Sequence, residues 1–181
     1  LSQSATNVLV EGSWFERSGF DSSEGSSDIR TDIALRRNVF SDKGTPIYAG
    51  NVSGFLVEEN VVYDPVTGRD AGHGMYITSE GNSDHVVRGN IVHYASHGDG
   101  IKQRPGGVSE GNVIAGVESS SIHYDVSNPT TLSAIAHGNL ILERASPDAG
   151  GITFYSGWRG EMTDNIVADE PANIDARPFS A

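Results

Sequence analysis

Six asparagines recur along this chain in one local setting, apolar–x–x–Asn–x–apolar or close to it: Asn38, Asn60, Asn90, Asn112, Asn139 and Asn165. The segments read "IALRRNVF", "FLVEENVV", "HVVRGNIV", "GVSEGNVI", "AIAHGNLI" and "GEMTDNIV", and "VLVEGSWF" repeats the pattern with Ser13 in the asparagine slot. Successive asparagines lie 22, 30, 22, 27 and 26 residues apart. A constant core with variable insertions means that each unit is too small to bury its own apolar face and must stack on the next. Gly12, Gly89, Gly111 and Gly138 stand directly before the slot. Glycine adopts positive φ without steric cost, so a tight corner is expected there, with the stacked amide side chains bonding the backbone of neighbouring units.

A second short run follows in each unit: "TPIYAG", "GMYIT", "GIKQR", "SIHYD", "GITFY" and "NIDAR". Three short strands per unit, with corners between them and no helical period, predict an all-β chain. The expected fold is a parallel β-helix solenoid of about seven coils with an asparagine ladder at one corner, right-handed by the crossover rule. Residues 1–181 read as one domain. With no capping helix ahead of "NVLVEG" the chain is expected to be a segment, or the mature part, of a longer protein, and end-to-end stacking is open to it. The position two before each slot holds Glu11, Arg36, Glu58, Arg88, Glu110 and His137. That column is expected to be a register-setting charge ladder on a solvated face, which makes Glu58 and Arg88 poor catalytic candidates.

Side chains alternate across a strand. Aligning the second runs gives an apolar column of Ile47, Met75, Ile101, Ile122, Ile152 and Ile174. Two residues on is another inner column, Ala49, Ile77, Gln103, Tyr124, Phe154 and Ala176, in which Gln103 needs a buried partner. Between them, Tyr48, Tyr76, Lys102, His123, Thr153 and Asp175 are predicted to face out, as are Gly50, Thr78, Arg104, Asp125, Tyr155 and Arg177. Lys102 and Arg104 then stand about 7 Å apart on one strand, with His123 and Asp125 beside them. His73 and His97 lie in the loops leading into this sheet. A face this rich in Tyr, His and Arg is the candidate site.

The net charge of −12 argues against nucleic acid or an anionic membrane as partner. No apolar run is long enough to span a bilayer, and with no cysteine there is neither a disulfide framework nor a thiolate metal site.

The asparagine-turn repeat resembles that of the right-handed parallel β-helix proteins of the pectin lyase-like superfamily, over nearly the whole chain. That superfamily includes pectate lyases, alginate lyases, chondroitinase B-like enzymes and polygalacturonases. The resemblance implies a carbohydrate-active protein, extracellular or periplasmic, that cleaves an acidic, uronic acid polysaccharide by β-elimination in a groove along one sheet. Lys102, Arg104, His123 and His73 are then the catalytic candidates, and Tyr48, Tyr76, Tyr155 and His97 the substrate-binding ones. Elimination needs positive charge on the uronate carboxylate, a base for the C5 proton and an acid for the leaving oxygen. Lyases of this fold use a calcium-binding acidic cluster or an Arg/Lys pair, and this sequence fits the second better, so no cofactor is expected to be required. Calcium is a second option, with Asp99 and Asp125 as its ligands. The loop "DSSEGSSD" (Asp21, Glu24, Asp28) departs from the EF-hand spacing and reads as a solvated loop. "GHG" at Gly72–Gly74 and "GIK" at Gly100–Lys102 also echo the order found in polygalacturonases. The preceding coil, "TPIYAGNVSG", holds no aspartate pair for hydrolysis. A non-catalytic carbohydrate-binding or fibrous β-helix is the third alternative.

Overall fold

In the computed structural model, every paired strand runs parallel to its neighbours, in three sheets that wind around one core. The structure describes residues 5–22, 29–41, 44–64, 72–78, 84–94, 98–125, 133–142, 150–154 and 159–168. Sheet A holds seven strands: Thr6–Glu11, Arg30–Arg36, Val52–Glu58, Val86–Arg88, Gly107–Glu110, Ser133–His137 and Arg159–Thr163. Sheet B takes the strand after each corner: Trp14–Glu16, Val39–Ser41, Val61–Asp64, Ile91–Tyr94, Val113–Ala115, Leu140–Leu142 and Ile166–Ala168. Sheet C holds six: Phe20–Ser22, Ile47–Ala49, Met75–Ile77, Ile101–Gln103, Ile122–Tyr124 and Ile152–Phe154. The expected β-helix is thus the observed fold. The run "NIDAR" (Ile174, Asp175, Ala176, Arg177) lies outside the described residues.

The corner between sheets A and B carries the ladder. The Asn90 side chain accepts from the Asn60 amide N–H (2.9 Å) and Nδ2 (3.0 Å), and its own Nδ2 donates to the Val57 carbonyl (2.9 Å) and to Asn112 Oδ1 (2.9 Å). The same bonds link Asn38 through Asn165, and the Ser13 amide joins by donating to Asn38 Oδ1. Asn60 and Asn90 are fully buried, so these side-chain bonds satisfy polar groups that water cannot reach. The residue before each slot has positive φ in every coil. It is glycine at Gly12, Gly89, Gly111 and Gly138, but Arg37 (52°), Glu59 (55°) and Asp164 (56°) adopt the same conformation. There the ladder over-determines a backbone that costs a non-glycine residue about 1–2 kcal/mol.

Inside, Ile33 and Leu35 of sheet A, Phe40, Val62, Val92, Ile114 and Ile141 of sheet B, and Ile47, Met75, Ile101 and Ile122 of sheet C are fully buried. Each such side chain contributes about 1.5–3 kcal/mol of burial. Phe15 stacks on Phe40 and Tyr124 on Phe154, with centroids 4.8 and 4.9 Å apart. Gln103 finds its partner in Ser109, whose hydroxyl accepts from Nε2 at 2.7 Å. The register of sheet C is the predicted one: Ile47, Met75, Ile101, Ile122 and Ile152 pair in one column, and Tyr48, Tyr76, Lys102, His123 and Thr153 in the next.

Two expectations need correction. Asp21 belongs to no loop; it lies on the first strand of sheet C, exposed and paired with Tyr48, while Glu24 and Asp28 lie outside the described residues. Gly50 and Thr78 are buried, not outward, and the Thr78 amide bonds the Ala49 carbonyl at 2.8 Å. Thr78 caps its strand where the chain is already turning, so the alternation stops one residue early. On sheet B burial alternates but polarity does not. The residues just after the corner, Trp14, Val39, Val61, Ile91, Val113, Leu140 and Ile166, are all apolar, yet none is buried, and Trp14 is 75% exposed.

Candidate functional site

The approach to sheet C is built by glycines. Gly72-His73-Gly74 stacks on Gly98-Asp99-Gly100, with the Gly74 amide donating to the Asp99 carbonyl (3.0 Å) and the Gly100 amide to that of Ser120 (3.0 Å). A Cβ at Gly98 would sit 1.6 Å from the Gly72 carbonyl oxygen, and one at Gly74 would sit 2.6 Å from that of Gly100. No larger residue fits this stack. The close approach brings His73, Asp99 and Ser120 of three successive coils together, beside Tyr76, Lys102 and His123 on the sheet.

Asp99 is the hub. Its Oδ2 lies 2.9 Å from His123 Nδ1 and 3.7 Å from Lys102 Nζ, and its Oδ1 accepts the Ser120 amide at 3.0 Å. Its own amide N–H donates to His73 Nδ1 at 2.9 Å. Burial pushes the Asp99 carboxyl up, but the hydrogen bond and charge of His123, with the Ser120 amide, outweigh it and hold the group at about 2. Asp99 is therefore an ionised, buried carboxylate. His73 is drawn down to about 4, first by burial and then by the nearby positive groups, with Asp99 pulling the other way. Its Nδ1 also lies 3.4 Å from Asp99 Oδ2. The amide N–H already takes that nitrogen's lone pair, so the approach is not an ion pair, and His73 is neutral near pH 7.

Lys102 Nζ lies between two carboxylates, 3.7 Å from Asp99 and 3.5 Å from Asp125. Such a cation neutralises charge; it is poorly placed to act as a base. The Tyr76 ring is bracketed by His73 (centroids 4.7 Å), Tyr48 (5.6 Å, edge-on), the Arg104 guanidinium (5.4 Å) and Lys102 Nζ (5.8 Å). Around these, Thr45 Oγ1 accepts the His73 amide at 3.2 Å, and the Ser120 and Thr153 hydroxyls share a bond of 2.9 Å.

Eight candidates thus converge: His73, Lys102, Arg104, His123, Tyr76, Tyr48, Asp99 and Asp125. His97 and Tyr155 lie outside the described residues. Thr45 and Ser120 escaped sequence reasoning, as did the role of Asp99. The only signal was the glycine on each side of His73 and Asp99. Asp99 and Asp125 do not suit a calcium ion, because the Lys102 ammonium stands where the metal would bridge them. Among the described residues, no cluster of three or more His, Asp or Glu side chains is arranged to hold a metal.

The fold and this face define a parallel β-solenoid with one sheet carrying an ordered polar patch. The family model described as "right handed beta helix region" matches residues 1–175, so the chain belongs to that right-handed β-helix family. No curated protein and no solved structure matches it.

Proposed function

We propose that this β-helix protein cleaves an acidic polysaccharide by β-elimination. The observation that carries the reading is the convergence on one rigid face of two cations, Lys102 and Arg104, and a histidine held by a buried carboxylate. Arg104 and Lys102 neutralise the uronate carboxylate, which lowers the cost of charge developing at C5. Nε2 of His123 takes the C5 proton. The electron pair left behind forms the C4–C5 double bond, and the glycosidic oxygen leaves C4 with a proton from Tyr76, while the neutral His73 donates a hydrogen bond from Nε2–H. Nε2 of His123 is shielded from water, so the reading requires the groups over it to part as the polymer seats. The Tyr76 ring holds Lys102 and Arg104 beside the polymer.

Hydrolysis is disfavoured by the same geometry. It needs a protonated carboxylic acid, and Asp99 is held ionised at about 2 by His123 and Ser120. The deciding experiment incubates the protein with alginate, pectate, chondroitin and glucuronan and follows unsaturated product by ultraviolet absorbance. Absorbance that grows with one polymer supports the lyase. New reducing ends without absorbance would make it a hydrolase, and binding without either would make it a carbohydrate-binding module.

A further inference from the structure

Asp99 does more than hold one histidine. We infer that Asp99 is a positioning residue that sets opposite tautomers on the two site histidines, leaving His123 with an acceptor at Nε2 and His73 with a donor at Nε2. The two halves come from different parts of the same residue. An ionised carboxylate only accepts, so the 2.9 Å bond between Asp99 Oδ2 and His123 Nδ1 requires the proton on Nδ1. An amide N–H only donates, so the 2.9 Å bond from the Asp99 backbone to His73 Nδ1 requires a lone pair there, and the ring proton sits on Nε2. The glycines at Gly74, Gly98 and Gly100 let the coils approach closely enough for one residue to reach both rings.

The consequence is a hydrogen-bond acceptor on the His123 ring and a hydrogen-bond donor on the His73 ring, both set before substrate arrives. Their use in elimination rests on the lyase reading; the tautomers do not. A buried carboxylate behind His123 fixes the orientation of the ring as well as its proton, which is how preorganised acid–base pairs avoid reorganisation during reaction.

The test is nitrogen-15 NMR of the histidine rings in the whole chain at pH 8, with assignments from His73→Gln and His123→Gln. The expected spectrum has His123 protonated on Nδ1 alone and His73 on Nε2 alone. In Asp99→Asn the Ser120 amide N–H still claims the side-chain oxygen, so the new NH2 group faces His123. The His123 proton should then move to Nε2, while His73, held by the backbone, stays as it was. Turnover on the cleaved polymer should fall, and Asp99→Glu should restore part of it together with the Nδ1 proton. Wild-type His123 protonated at Nε2, or His73 protonated at Nδ1, overturns the inference, and so does a His123 tautomer unmoved in a folded Asp99→Asn. Should Asp99→Asn not fold, the wild-type spectrum decides alone. The expected tautomers without any elimination product would retire the lyase reading and leave this inference standing.

Discussion

Two polar columns run along this solenoid, an alternating row of Glu and Arg on sheet A and a mixed row of Tyr, Lys, His and Thr on sheet C. On sheet A, Glu11, Arg36, Glu58, Arg88, Glu110 and His137 pair in register. Glu58 bridges Arg36 (3.0 Å) and Arg88 (2.5 Å), and both arginine side chains are at least 40% exposed. Glu58 is shared by an arginine on each side, Glu11 turns to Arg37 of the next coil, and a shallow recess among Glu58, Glu59, Arg88, Gly89, Glu110 and Gly111 lies open beside them. On sheet C, Lys102 and His123 converge on Asp99, a single carboxylate whose side chain is 4% exposed. A solvated ladder screens its charges and contributes little. A buried hub keeps them strong and fixed. Burial and convergence, rather than charge count, separate the candidate site from the register device.

The largest expected effect falls on the site. Lys102→Ala and His123→Ala should each lower turnover on the cleaved polymer about 10²-fold or more, the scale for losing a charge stabiliser or a base. Melting curves recorded alongside keep a folding defect apart from a chemical one. Near-full activity in Lys102→Ala would mean that sheet C is another solvated face.

Acid should sharpen the contrast from the side of stability. His85 is fully buried against Phe55, and burial holds it at about 4, below the ordinary 6.5, with Asp84 pulling weakly the other way. The unfolded chain binds that proton below about pH 6.5 and the folded chain only below about 4. The contribution of His85 is therefore complete above pH 6.5 and is lost as the pH falls towards 4, by about 3 kcal/mol. His73 acts in the same direction. Melting temperatures at pH 7.5 and pH 5 should differ less in His85→Leu than in the wild type. An equal acid-induced drop in the two proteins would remove His85 from the account.

The asparagine ladder comes next. Asn90→Ala leaves the amides of Asn60 without their acceptor and the Val57 carbonyl without its donor, all out of reach of water. A loss of about 1–3 kcal/mol is expected, read by denaturant unfolding. The site on sheet C should keep its turnover per folded molecule.

The fold was legible because its two devices, asparagine at the corner and period-2 alternation, are local and repeat in every coil. The first strand of sheet C was not, since Asp21 and Ser22 open the polar run "DSSEGSSD", which reads as a loop. The corner at Arg37, Glu59 and Asp164 was half legible: glycine marked it elsewhere, but the ladder enforces the same φ without glycine. The outward columns of the site followed from alternation, yet the role of Asp99 did not. Its partners His73, Ser120 and His123 lie 26, 21 and 24 residues away, and nothing in "HGDG" says which neighbour's side chain meets the carboxylate.

The smallest effect belongs to the charge ladder. Arg88 places Nε 2.7 Å and Nη2 2.5 Å from Glu58, a two-pronged contact that on paper is the best ion pair of the column. Yet its side chain is 47% exposed, and water and salt screen the attraction. Removing it does not strand Glu58, which keeps Arg36 at 3.0 Å. Arg88→Ala should therefore cost no more than about 1 kcal/mol in denaturant unfolding, and added salt should shrink the difference between variant and wild type. Turnover on sheet C should stay near the wild-type value, because no described contact links Arg88 to Asp99, Lys102 or His123. A loss in Arg88→Ala that matched Lys102→Ala would erase the distinction between ladder and hub, and the candidate site would have to be sought elsewhere on the solenoid.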